Sequence, residues 1–350
     1  MKFTHIAVLV LLFVTALSAA KTLDMYVVDV EGGKAVLLVS PSGESMLIDA
    51  GSRGNNDRDA TRIVEACKAA GLKQIDFMVV SHYDGDHVSD VPTLAGMFPL
   101  VTFVDHGENV QINDGTVKNV SAYLALIAKN KARRITVKPG DRIPIKGFDA
   151  FVAMAAGKAI TAPLKGAGQP NPACDTTQRK VWGLDDRGIL DNHDTNENAM
   201  SIGLLVTYGK FRMYDPADLT WNKEREVMCP VNRVGAVDLF MAANHGMFNG
   251  DSPVMVHALR PRVAIVGNGP KKGATAEVLQ TMRSSPRLED YWQMHYLLAG
   301  GEKGNVPADF IANLQEGPDG KWIKVSVQQN GTFTVTNSRN NFSKTYKPRK

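Results

Sequence analysis

The sequence predicts an α/β fold made of two β-rich layers with helices outside. Three observations carry this: a strand-loop-helix-strand order in the first third, a second half that repeats that logic, and apolar runs that end in loops bearing His and Asp. From Leu23 the chain reads LDMYVVDVEGGKAVLLVSPSGESMLIDAG, a meander of three β-rich runs broken at Glu31-Gly32-Gly33 and at Pro41-Ser42-Gly43, and ending at Asp49-Ala50-Gly51. The stretch 59–72, DATRIVEACKAAGL, has apolar residues near helical spacing and a glycine stop at Gly71; IDFMVV after it is a short continuous apolar strand. VTFVDHG at 101–107 reads as a strand and loop, and VKNVSAYLALIAKN as a helix. Between Pro139 and about Asn196, Gly, Pro and polar residues predict exposed connections.

The second half opens with SIGLLVTYGKFRMYDPADL, a hairpin reaching Asp215 to Asp218. VDLFMAANHG delivers His245 past an apolar strand, PRVAIVGNG delivers Asn268, and ATAEVLQTMRSS is helical. Near the end, KWIKVSVQQNGTFTVTNS places Asn330-Gly331 between alternating runs, a strong hairpin signal. Its roughly thirty residues are too few for a core of their own, so it is expected as a C-terminal appendage spanning 316–350 on a main domain of 21–315.

Length and composition are those of a globular protein: 350 residues, 44% hydrophobic and 22% charged. Lys2, the apolar run Ile6 to Leu17 and the small residues Ser18-Ala19-Ala20 have the layout of a secretory signal peptide over 1–20. The run is short for a membrane span, so the mature chain is expected to be secreted or periplasmic with no transmembrane segment, with an uncleaved anchor as the alternative. Losing Lys2 lowers the formal net charge of +4 by one, a balance that names no partner; a nucleic acid is possible but is not indicated by charge. The basic end KTYKPRK reads as a solvated tail. Three cysteines exclude a disulfide scaffold. Cys67 falls in a helical pattern as a packed residue, leaving Cys174 and Cys229 as the possible pair.

The chemistry concentrates in SHYDGDH, 81–87, which sets two histidines and two aspartates into six residues after FMVV. Neighbouring carboxylates repel unless a cation or a set of donors lies between them. Imidazole and carboxylate donors suit Zn²⁺, Mn²⁺ or Fe²⁺. A metal site needs ligands from several strand ends, and Asp218 and His245 stand at such ends. His106 and His193 fit ordinary loop histidines, and His257 and His295 lie in helix-like text, VMVHALRP and YWQMHYLL. Lys271 and Lys272 in GNGPKKG fit exposed loop lysines, with contact to a phosphate at the mouth of the site as the alternative; GxxxxGK[ST] is absent.

His82, Asp84, Asp86 and His87 match the HxDxDH variant of the metallo-β-lactamase-fold motif HxHxDH. Together with VVDVEGGKAVLLVSPSGESMLIDAG, Asn198 with Ser201, Asp218 and Asn244-His245-Gly246, the chain resembles the branch similar to the hydrolase domain of ComEC/Rec2 competence proteins and to choline-phosphate esterases. The resemblance implies an αββα sandwich and a dinuclear site holding two divalent ions, Zn²⁺ first and Mn²⁺ as the alternative. His82 and Asp84 would hold one ion, Asp86, His87 and His245 the other, with Asp218 bridging. Asn198 falls where other members have a third histidine; Asn198 and Asn244 are the expected substrate contacts. Asp49 corresponds to a buried aspartate that fixes a ligating imidazole.

The implied activity is that of an exported metal-dependent hydrolase whose metal-bound hydroxide, oriented by Asp86 and Asp218, attacks a phosphoester or phosphodiester. The substrate would be a small molecule or a phosphodiester. A β-lactam or lactone hydrolase on the same site, or a non-catalytic metal-binding accessory protein, are the alternatives. Three departures bear on the choice: Ala217 stands where relatives carry Gly, Asn244 where they carry the first His of HHG, and GNGPKKGA lacks a late His.

Overall fold

The computed structural model describes residues 22–183, 193–317 and 319–348, so the expected signal segment at 1–20 lies outside the described residues. Among them, two nine-stranded sheets pack face to face. The first runs, edge to edge, Ser343–Tyr346, Phe333–Asn337, Ile323–Val327, Leu23–Val27, Val36–Val39, Ser45–Ile48, Ile75–Val79, Leu100–Asp105, Arg133–Thr136. The second runs Ile311–Asn313, Asp290–His295, Val263–Val266, Leu239–Met241, Phe211–Asp215, Gly203–Tyr208, Asp149–Ala155, Arg142–Ile143, with Lys158–Ala159 paired to Asp149–Ala155.

Side-chain alternation along each strand builds the four layers. Leu23, Met25 and Val27 point between the sheets with Val263 and Ile265 of the opposite sheet, whereas Tyr26, Ala264 and Val266 point outward. The outer face of the first sheet is covered by the helices Arg58–Ala69, Val91–Met97 and Asp114–Asn130, and that of the second by Trp221–Met228, Pro253–Leu259 and Ala276–Arg283. The result is the expected αββα sandwich. Cys67 is buried in the first of these helices, and Cys174 and Cys229 are joined in a disulfide. No helix among the described residues is long and apolar enough to cross a membrane.

Four expectations change. The terminal hairpin forms, but it is no appendage: Ile323–Val327 pairs antiparallel with Leu23–Val27, and Ile323, Val325, Phe333 and Val335 enter the inter-sheet core. Its apolar alternation finds there the core it lacks alone. The basic tail is partly strand, with Tyr346 buried and Lys344 paired to Asp290. The region after Pro139 contains a strand, Asp149–Ala155, set between Gly203–Tyr208 and the edge strand Arg142–Ile143 and buried on both faces because helices and the opposite sheet cover it. His295 ends a buried strand, where β-ladder hydrogen bonds override the helix-like spacing of its neighbours.

Candidate metal centre

Both sheets aim their parallel strands at one place. Ser45–Ile48, Ile75–Val79 and Leu100–Asp105 run parallel, so their C-terminal ends carry Asp49, the SHYDGDH loop and His106 side by side. In the facing sheet Phe211–Asp215, Leu239–Met241 and Val263–Val266 run parallel and end in the loops bearing Asp218, His245 and Lys272. Loops at the carboxyl ends of such strands are where open α/β sheets gather function.

Several of the turns are left-handed: φ is +61° at Asp49, +53° at Ala217, +47° at Asn244 and +54° at His245. L-residues adopt this region at a cost of about 1–2 kcal/mol each, least for Asn and Asp. The Gly expected before Asp218 would carry no such cost, so Ala217 is held by its surroundings. Lys34, buried, donates to Oδ1 of Asp215, and the same oxygen accepts the Ala217 N–H at 2.9 Å. Asn244 donates to the Asp218 carbonyl at 3.4 Å, tying the two loops together.

The three imidazoles are oriented alike. Nδ1 of His87 donates to Oδ2 of Asp49 at 2.8 Å. His245 donates from Nδ1 to the Gly267 carbonyl at 3.1 Å. His82 places Nδ1 3.1 Å from the Ser81 hydroxyl, which itself donates to Asp49 at 2.6 Å and so accepts from the ring. With Nδ1 spent outward, each ring presents Nε2 to the centre. There Nε2 of His87 stands 3.2 Å from Nε2 of His245 and 3.3 Å from Oδ2 of Asp218. His245 Nε2 lies 3.1 Å from both Asp86 and Asp218. His82 Nε2 is buried without a hydrogen-bond partner, 3.6 Å from Asp84. The Asn198 amide oxygen is likewise buried and unpartnered.

Two groups of donors therefore converge: His82, His87 and Asp218, and Asp86, His87 and His245, each with ligand atoms within 4.8 Å of one another. Asp84 stands beside the first group, next to His82. Burial raises the carboxyl groups of Asp86 and Asp218, but the charges of His87 and His245 override it and hold both well below the usual range. Burial lowers His87, and Asp218, Asp49 and Asp86 lift it well above an ordinary imidazole. Ring nitrogens crowded against one another, the unpartnered Nε2 of His82 and converging carboxylates form a donor set that fits divalent cations.

A third convergence, Asp29, Glu31 and His295, is satisfied differently. Arg62 pairs with Asp29 at 2.9 Å and with Glu31 at 3.2 Å, Arg58 pairs with Glu31 at 2.6 Å, and His295 donates to Asp29 at 2.8 Å. Guanidinium groups supply the positive charge there.

His106 is buried and meets Glu197 at 3.0 Å, and it belongs to neither donor group. Burial raises the Glu197 carboxyl, while His106 and the N–H groups of Val110 and Tyr83 hold it below its ordinary value. The pair ties the SHYDGDH loop to the segment carrying Asn198. His193 packs against Trp182, and His257 bonds Ser284 at the surface. Lys34, Glu197 and Ser81 escaped the sequence reading as site residues, because their partners lie far off in sequence or their type carries no metal signal; Lys272, read first as an exposed loop lysine, reaches Asp86.

The fold and this cluster define an α/β protein with a candidate metal centre. Residues 28–168 match the sequence model of the family described as the Metallo-beta-lactamase superfamily; the match includes SHYDGDH and stops short of Asp218 and His245. No curated protein sequence matched the chain. Among solved structures, the metallo-β-lactamase fold protein YhfI from Bacillus subtilis is similar at 11% identity and TM-score 0.46, covering 85% of this chain and 98% of its own. CmlA, a diiron β-hydroxylase from Streptomyces venezuelae, is 13% identical at TM-score 0.39, covering 78% of this chain and 48% of its own. Zn²⁺-bound PqqB from Methylobacterium extorquens is 14% identical at TM-score 0.37, covering 68% and 77%.

Proposed function

We propose that the protein is an exported metal-dependent hydrolase of the ComEC/Rec2-like kind, acting on phosphoesters or phosphodiesters. The observation that carries this is the inward orientation of three Nε2 atoms, each fixed from behind at Nδ1, toward the carboxylates of Asp86 and Asp218. His82, Asp84 and Asp218 would hold one ion and Asp86, His87, His245 and Asp218 a second, with Asn198 facing the first. Divalent ions bound there supply Lewis acidity and lower the pKa of water. Asp49 keeps the His87 ring in place, and Asp86 and Asp218 orient the attacking water through their acceptor oxygens. The mixed imidazole and carboxylate donor set suits Zn²⁺ or Mn²⁺, and two divalent ions favour a substrate with anionic oxygens. Export is supported by the Cys174–Cys229 disulfide, since such bonds persist in oxidising compartments.

The test is a panel on protein loaded with Zn²⁺ or Mn²⁺: a phosphodiester, a phosphomonoester, a chromogenic β-lactam and a lactone. Metal-dependent phosphodiester cleavage above lactam cleavage is expected. Robust lactam or lactone turnover without phosphodiester cleavage would replace the substrate reading, and no turnover of any substrate by metal-replete protein would leave a binding role. Export is tested by the intact mass of protein recovered from the cell envelope, where retention of Met1 to Ala20 contradicts cleavage.

A further inference from the structure

Lys271 and Lys272 are adjacent in sequence and are sent to different places. Lys271 reaches outward, its side chain 74% exposed, to Glu316 at 3.0 Å. Lys272 turns toward the donor cluster and pairs with Oδ2 of Asp86, the oxygen that stands 3.1 Å from His245 Nε2. Its path depends on close backbone approach. A Cβ at Gly269 would fall 2.6 Å from the Glu31 carbonyl oxygen, and one at Gly273 would fall 2.1 Å from that of His245. The Lys272 stem lies over Gly32, whose own Cβ would stand 3.3 Å from that of Lys272. Two glycine-rich loops thus close on each other and set the ammonium at the edge of the site.

An ammonium has three N–H donors. Asp86 takes one and is its hydrogen-bond partner among the described residues, while the side chain remains 40% exposed. The other donors are open to a group arriving from solvent. A lysine serving only to neutralise Asp86 becomes redundant once a divalent ion shares that carboxylate; what it still offers is a fixed positive charge at the entrance. We propose that Lys272 is a substrate-binding residue that takes an anionic oxygen of the substrate and thereby selects phosphate esters over neutral esters and lactones. This rests on the metal-dependent phosphoesterase reading above.

The probe is inorganic phosphate, titrated calorimetrically into the full metal-loaded protein, beside kinetics on bis(p-nitrophenyl) phosphate and the neutral p-nitrophenyl acetate. Lys272→Met should weaken phosphate binding by about tenfold or more, the loss of one hydrogen bond to a charged group, with metal content retained. The ratio of kcat/KM for the phosphodiester over the neutral ester should fall in parallel. Lys272→Arg should restore part of the phosphate affinity, and Lys271→Met should match wild type. Unchanged phosphate affinity in Lys272→Met overturns the proposal, as does loss of metal from that variant, which would make Lys272 a support of the centre. If phosphate binding depends on Lys272 while wild type cleaves no phosphodiester, the substrate reading fails and the anion site stands. If phosphodiester turnover is robust and Lys272→Met equals wild type, the reverse holds.

Discussion

Asp49→Asn tests whether the centre is organised from below. The Asp49 carboxylate is fully buried; Oδ1 accepts the Ser81 N–H at 2.8 Å, and Oδ2 accepts the Ser81 hydroxyl at 2.6 Å and His87 Nδ1 at 2.8 Å. Asparagine preserves the shape and can still accept from the Ser81 N–H, but it puts an NH₂ where Oδ2 received two donors. The hydroxyl can rotate and accept. The imidazole can only shift its proton to Nε2, which removes a lone pair from the cluster. Replacing a partner of a metal-binding histidine in this way costs about 10–100-fold in metal affinity, equivalent to roughly 1.4–2.7 kcal/mol. The metal-free fold should lose about 1–3 kcal/mol through the broken buried bonds. Competition with a chromogenic chelator measures the first quantity, and urea unfolding of metal-free protein the second. Wild-type metal affinity in Asp49→Asn would refute the claim that Asp49 sets the His87 tautomer.

The remaining predictions concern the ligands, pH and thiols. His87→Ala should lose metal and most activity because His87 belongs to both donor groups, whereas His257→Ala, whose ring meets Ser284 at the surface, should change neither; equal metal content in wild type and His87→Ala would sink the assignment. Burial pushes Glu224 up to about 8, against the opposing pull of the Ser252 and Asp251 N–H groups, and Asp251 nearby is raised in turn by burial and by Glu224. The folded state then keeps a proton that the unfolded chain has released. This group's contribution to stability should therefore fall as pH rises from about 4.5 to about 8 and level off above, by up to about 1.4 kcal/mol per pH unit. Urea midpoints across that range should show the fall in wild type and a flatter profile in Glu224→Gln. Burial raises the Cys67 thiol to about 12, so a thiol reagent should find no reactive group in the native protein and a single one in denaturant. Reducing the Cys174–Cys229 bridge, which joins positions 55 residues apart, should cost about 4 kcal/mol in urea unfolding.

What the sequence determined by itself was local. Alternation in LDMYV and IKVSV, the helical spacing of RIVEACKAA and the Asn330-Gly331 turn each follow from backbone geometry over a few residues, and the structure forms each of these elements. SHYDGDH was legible because its four donor side chains sit within seven consecutive residues, a short loop running into the helical turn Gly85–Val88, and because neighbouring carboxylates need a counter-charge wherever that segment goes. The tertiary structure decided which distant groups answer that segment. It brought His245 beside His87, set Lys272 on Asp86, paired Glu197 with His106, and seated the terminal hairpin against the first strand. It also gave Arg62 to Asp29, so that an acidic pair with a histidine became an ion-pair network while another group stands as a candidate metal centre. Lys271 and Lys272 are the sharpest instance: neighbours of identical chemistry, one at the surface and one at the site. Coulomb and hydrogen-bond energies depend on separation through space, and that separation is set only when the two sheets pack and their parallel strands end at the same edge.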